Sequence, residues 1–255
     1  MKFEAVIFDL GGTLLEYASV YETWPELESP GFAAAHAYLA QAGVRLPPLK
    51  SFQKKGFELL PGRWQEATAG IRNLTVGSLL LEVMAAMDIE IPSDFHIREA
   101  AAKYQAAVCA GVSPIQGSYE TIRAVKSEGF KLGLVSNTMF DGEMHIADMR
   151  RFGLAAPFDA MVFSADVNKW KPNSEVFMHV LHKLQAAPAN TVFIGDDPEV
   201  DVVGGLRAGM YTIHYPSSQR FSSIDGVKPD AVIYSLDELP KLLADLNSGH
   251  GASHI

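Results

Sequence analysis

An α/β fold, with a Rossmann-like, mostly parallel sheet covered by helices on both faces and one inserted all-α cap domain, is what this sequence predicts. Three observations carry it. Beyond residue 113, short apolar β-type runs alternate with stretches of helical period. A further run, AVIF, lies near the N-terminus. Between the two, residues 17–112 keep helical spacing and contain no convincing strand. Strands alternating with helices imply right-handed crossovers, and those crossovers cover a parallel sheet on both sides.

Taken in chain order, residues 4–8 form the first strand, which ends at Asp9, and Gly11-Gly12-Thr13 behind it reads as a tight turn. From residue 17 the period changes. Phe32, Ala35, His36 and Leu39 share one helical face, and Val76, Leu79, Leu80, Val83, Met84 and Met87 share another. Ile97, Ala101, Tyr104 and Val108 follow Ser93, a candidate N-cap. Pro114 and Gly117 mark the return to the sheet domain. Strands are then expected at 131–136 (KLGLVS), 159–164 (DAMVFS), 191–195 (TVFIG), 211–215 (YTIHY) and 230–234 (DAVIY). Helical spacing separates them at Tyr119, Ile122 and Val125, and at Val176, Phe177, Val180, Leu181 and Leu184. The expected organisation is a catalytic core of residues 1–16 and 113–247, a helical cap of 17–112, and a disordered polar tail over 248–255. No internal repeat is visible.

With 255 residues, 48% hydrophobic and 20% charged, the chain has the composition of a globular protein with one large core or two domains. Its net charge of -9 argues against a nucleic-acid or anionic-membrane surface, where a basic stripe is expected. No window offers about 20 apolar residues for a membrane span. Asp9 breaks the first apolar run too early for a secretory signal. A cytoplasmic protein is expected. Cys109 is the single cysteine, so no intramolecular disulfide forms. His179 and His182 sit three apart on an expected helix, where zinc normally needs three or four ligands, and read as surface or half-buried residues.

In an open parallel sheet, ligands bind beyond the carboxyl ends of the strands. Asp9 follows the first strand, Ser136 and Asn137 follow KLGLV, and Asp196 and Asp197 follow TVFIG. Lys171 precedes a helix that Asn173 or Ser174 can cap. Each has an ordinary reading alone: Asp196 and Asp197 as helix caps, Lys171 as a solvated lysine, Ser136 and Asn137 as turn residues. Their convergence on one sheet edge outweighs these. Carboxylates, a hydroxyl and a lysine together suit a divalent cation and bound phosphate oxygens.

The ordered set VIFDLGGTLL, LGLVSNT, the KP of KWKPNSEVF, and FIGDDPEVDVVGGLRAGM resembles the haloacid dehalogenase-like hydrolase superfamily. It is most similar to the branch whose helical cap lies between the first and second motifs. The resemblance implies a Rossmann-like core and Asp9 as the nucleophile that attacks phosphorus to give an aspartyl-phosphate. It also implies that Ser136 and Lys171 hold the phosphoryl oxygens, in a phosphate-binding set with Leu10, Gly11, Gly12 and Asn137. Mg²⁺ would be held by Asp9, Asp196 and the Gly11 carbonyl, with Asp197 and Asp201 as outer acids.

One position departs from the pattern. Phosphatases of this family usually read D-x-D-x-T, and their second Asp moves the proton to the leaving group. Here that position is Gly11. The expectation is a Mg²⁺-dependent hydrolase of small phosphorylated metabolites, weakened by the missing acid. The rivals are a non-catalytic phosphate and metal binder, and a carbon–phosphorus or carbon–halogen hydrolase. Haloacid dehalogenases put Tyr at this position and need no metal, but Gly11 supplies no such ring, and Asp196, Asp197 and Asp201 would be surplus. Among cap residues, Lys54, Lys55 and Lys103 read as surface lysines, while Arg63, Trp64 and Arg72 stand as candidates to face substrate.

Overall fold

The computed structural model describes residues 2–17, 26–216 and 226–248. β1 (Ala5–Phe8) leads through the Gly-Gly turn into a two-residue strand, β2 (Leu15–Glu16). Four helices follow: α1 (Ser29–Gln41), α2 (Leu49–Thr68), α3 (Val76–Ala86) and α4 (Asp94–Cys109). The chain returns through β3 (Ser113–Pro114), which pairs antiparallel with β2, so the way out and the way back form one short ribbon.

The rest alternates as its pattern requires. α5 (Ser118–Ser127), β4 (Lys131–Ser136), α6 (Gly142–Arg151), β5 (Ala160–Phe163) and the short α7 (Ser164–Val167) come first. α8 (Ser174–Leu184), β6 (Thr191–Gly195), a wide π-type turn over Pro198–Val202 and α9 (Val203–Arg207) follow. β7 (Tyr211–His214), β8 (Ala231–Val232) and α10 (Leu239–Ser248) complete the order. Ser248 ends a helix rather than opening a tail, and the remainder of the expected tail lies outside the described residues.

The six-stranded sheet runs β5-β4-β1-β6-β7-β8, and every pairing in it is parallel. Period-two alternation splits its strands between two apolar layers. Val6 and Phe8, Leu132 and Leu134, and Val192 and Ile194 face a cluster with Ile122, Met149, Leu239 and Leu243. Ala5, Ile7, Val135 and Phe193 face the opposite cluster, built on Val176, Phe177, Val180 and Leu181 of α8. β1 is central, flanked by β4 and β6, so the three polar strand ends read from the sequence are neighbours.

The four inserted helices enclose their own cluster, around Phe32, Phe52, Leu60, Leu79, Leu80 and Tyr104. Met139, Phe140 and Trp170, which belong to loops of the sheet domain, are buried in that same cluster. Hydrogen bonds accompany the packing: the Val76 amide donates to the Met139 carbonyl at 3.0 Å, and the Asp141 amide to Gln105 Oε1 at 3.2 Å. The four inserted helices thus pack on loops at the carboxyl ends of the strands.

Candidate active site

Asp9 stands one residue beyond β1, and its amide extends the ladder by donating to the Ile194 carbonyl at 2.9 Å. The side chain is buried. Lys171, fully buried on the loop before α8, bridges two acids: Nζ lies 2.5 Å from Asp9 Oδ1 and 2.6 Å from Asp201 Oδ1. Burial works to lower the Lys171 pKa, but Asp201 and then Asp9 overcome it and hold the amine well above its usual range. Burial raises the Asp201 carboxyl, with the Lys171 charge pulling the other way. A buried ammonium needs such partners, because an unpaired charge in this setting would be costly.

With Oδ1 engaged by the lysine, Asp9 Oδ2 is buried without a hydrogen-bond partner among the described residues. Carboxylate oxygens of Asp9, Asp196 and Asp201 all lie within 4.8 Å of one another. An orphaned buried carboxylate oxygen among hard oxygen donors fits a divalent cation such as Mg²⁺. Asp201 lies nearer this centre than an outer acid need be. Both its oxygens are occupied, however, one by Lys171 and the other by the Asp197 amide at 3.1 Å. Gly195 makes the room, since a Cβ there would collide with the Asp201 carboxylate.

Several expected residues have other work. Asp197 Oδ1 accepts the amides of Glu199 at 2.8 Å and Val200 at 3.3 Å, so this acid caps the π-type turn and lies outside the acidic cluster. Asn137 uses its side-chain amide on backbone: Nδ2 donates to the Lys171 carbonyl at 2.9 Å, and Oδ1 accepts the Lys171 amide at 2.7 Å. That clasp uses Oδ1 and one of the two Nδ2 hydrogens on the backbone of Lys171. The Gly12 amide, expected on phosphate, donates to the Leu15 carbonyl at 2.8 Å. Leu10 is buried in the sheet core and its carbonyl closes the turn by accepting the Leu14 and Leu15 amides. Ser136 is buried at the carboxyl end of β4, beside the β1 terminus. Asn173 caps α8 as expected, accepting the Glu175 amide at 2.9 Å.

Among the inserted helices, Arg63 of α2 and Arg72 of the loop after it both pair with Glu66 of α2 and Glu82 of α3. Trp64 packs edge-on against Trp170. Lys54 and Lys103 are exposed, and Lys55 pairs with Glu58.

The sequence reading missed Tyr17. Its ring lies over Gly11, where a Cβ would meet Tyr17 Cδ2 at 3.6 Å. Its hydroxyl is 2.7 Å from His145 Nδ1, and His145 Nε2 is 2.7 Å from Thr138 Oγ1. His145 is stacked between Phe140 and Phe163, with burial lowering its pKa to about 4, so the ring is neutral. No sequence signal links Tyr17 to His145, since 128 positions separate them.

The description "haloacid dehalogenase-like hydrolase" matches residues 3–209. A pyrophosphatase PpaX from Halalkalibacterium halodurans is 32% identical over 129 residues, 50% of this chain and 59% of that protein. The pyrimidine 5'-nucleotidase YjjG of Escherichia coli is 28% identical over 148 residues, 58% of this chain and 63% of the relative. The chain thus spans roughly three-fifths of the length of these curated relatives. Among solved structures, a 2-haloacid dehalogenase from Pseudomonas syringae pv. Tomato DC3000 superposes with a TM-score of 0.69 at 25% identity, covering 96% of this chain and 99% of that one.

Proposed function

The chain belongs to the haloacid dehalogenase-like hydrolase family, and from that premise we propose that it is a Mg²⁺-dependent phosphatase of small phosphorylated metabolites with Asp9 as nucleophile. The observation that carries this reading is Asp9 itself: one oxygen is fixed by Lys171 and the other is buried with no partner among the described residues. The curated relatives, a pyrophosphatase and a nucleotidase, also favour phosphate as the group acted on.

In this mechanism an Asp9 carboxylate oxygen attacks phosphorus and the bond to the leaving oxygen breaks, giving an aspartyl-phosphate. Water then attacks that phosphorus and returns the carboxylate and inorganic phosphate. Lys171 and Ser136 hold the phosphoryl oxygens through both steps, and the ammonium offsets their charge. Asp9, Asp196 and the Gly11 carbonyl would hold Mg²⁺, which when bound supplies further charge neutralisation. No carboxylate at position 11 protonates the leaving oxygen, so turnover is expected to favour acyl and aryl phosphates over sugar phosphates. Cytoplasmic placement belongs to the same reading. Among the described residues, no helix is long and apolar enough to cross a membrane.

A carbon–halogen hydrolase is the second reading. The likeness to a 2-haloacid dehalogenase covers most of both chains, and the Tyr17 ring lies beside Gly11. One screen separates the two: phosphate esters, acyl phosphates and 2-chloropropionate, each with and without Mg²⁺, with Asp9→Asn as the blank. Mg²⁺-dependent phosphate release that falls at least ~10³-fold in Asp9→Asn is the expected result. Metal-independent halide release, with no phosphate release, would replace the phosphatase reading by the second.

A further inference from the structure

Trp170 and Lys171 are neighbours in sequence whose side chains serve different parts of the molecule. The Trp170 indole is buried in the cap cluster, edge-on to Trp64 of α2 at 5.0 Å and 83°. The Lys171 ammonium instead enters the acids at Asp9 and Asp201. Asn137 holds the Lys171 backbone from the sheet side.

A single cap side chain holds the same segment from the other side. Asn73, in the loop between α2 and α3, donates from Nδ2 to the Ala165 carbonyl at 2.8 Å and accepts the Trp170 indole N–H on Oδ1 at 2.9 Å. That loop is itself fixed, because Thr75 and Ser78 form a reciprocal capping box at the start of α3. Asn73 therefore ties both ends of the stretch 165–170 to the cap, immediately before the lysine.

We propose that Asn73 is a positioning residue for Lys171: it couples docking of the cap to placement of the ammonium at Asp9. If the cap lifts, Trp170 must leave its cluster or both Asn73 bonds must break, and either loosens the segment that carries the lysine. Linkage makes the coupling reciprocal, so a phosphoryl group engaging Lys171 favours the docked cap by the same factor. The phosphate arm of this inference rests on the phosphatase reading; the coupling of Asn73 to the lysine segment does not.

Asn73→Ala removes both bonds and touches none of the acids, Ser136 or Lys171. Amide exchange over 165–171 should quicken by about tenfold while β1 and β4 keep their protection. Inorganic phosphate, titrated calorimetrically with Mg²⁺ present, should bind about tenfold more weakly. Trp170→Phe keeps an aromatic ring in the cluster but loses the indole donor, and should quicken the same peptides by a smaller factor. Unchanged exchange over 165–171, or equal acceleration in β1 and β4, would overturn the proposal. So would faster local exchange with undiminished phosphate affinity. If the wild-type protein bound no phosphate, the phosphatase reading would fall, and the exchange result alone would decide the role of Asn73.

Discussion

Among the described residues, a side chain added at Gly11 would meet the Tyr17 ring, at 3.6 Å and 4.0 Å, and no other atom within 4 Å beyond its chain neighbours. Gly11 is also absent from the glycines with positive φ, whereas Gly12 is among them at 90°. The backbone at position 11 thus accepts a small side chain, and the Tyr17 ring, in ordinary contact with its Cβ, is the neighbour that an added carboxylate would have to share space with. Gly11→Asp alone is expected to gain little on alkyl phosphates. Combined with Tyr17→Ala, the same substitution should raise kcat/KM toward ~10²–10⁴-fold, the usual worth of a placed proton donor. Steady-state kinetics on one alkyl ester decides it. A single variant as active as the pair would show that Tyr17 is no obstacle.

α6 brings the partner that holds Tyr17. Its residue His145 bonds Tyr17 and Thr138 and lies between two phenylalanine rings, an enclosure that suits the neutral imidazole. The folded pKa of about 4 lies below the ordinary 6.5. The unfolded chain therefore binds the proton first as pH falls, and folding stability drops from about pH 6.5 down to about pH 4. Over that window this one residue should cost on the order of 3 kcal/mol. Urea unfolding at a series of pH values should show a shallower decline for His145→Phe than for wild type. Parallel declines would assign the acid sensitivity to other groups. Elements also differed in how plainly the sequence announced them. α8 has an uninterrupted apolar face and was legible; α2 contains Gly56, Pro61 and Gly62 and buries only Phe52, Gly56, Leu60 and Ala67 along 20 residues. Its helical state follows from packing against α1 and α3 more than from its own period.

Across the whole molecule, the cap cluster includes Met139, Phe140 and Trp170 from the sheet domain, so the two parts share buried apolar surface. Unfolding is expected as one calorimetric transition, with equal calorimetric and van't Hoff enthalpies. Two resolved transitions would mean that the shared surface is too small to couple the parts. The sequence by itself determined the parallel α/β class, the strands that end in polar residues and the lysine before α8. Local period and strand-end chemistry are written in consecutive residues. Only the tertiary structure decided which polar groups are available to a ligand. Asp197 is engaged by a helix start, Asn137 by the backbone of Lys171 and the Gly12 amide by its own turn, while Asp9 Oδ2 is left without a partner among the described residues. Nor does any local pattern connect Tyr17 to His145 or Asn73 to Trp170, since 128 and 97 positions separate those pairs and only the fold brings them together. Hydrogen-bonding capacity is a property of each residue, but its allocation depends on which distant groups folding brings within about 3 Å.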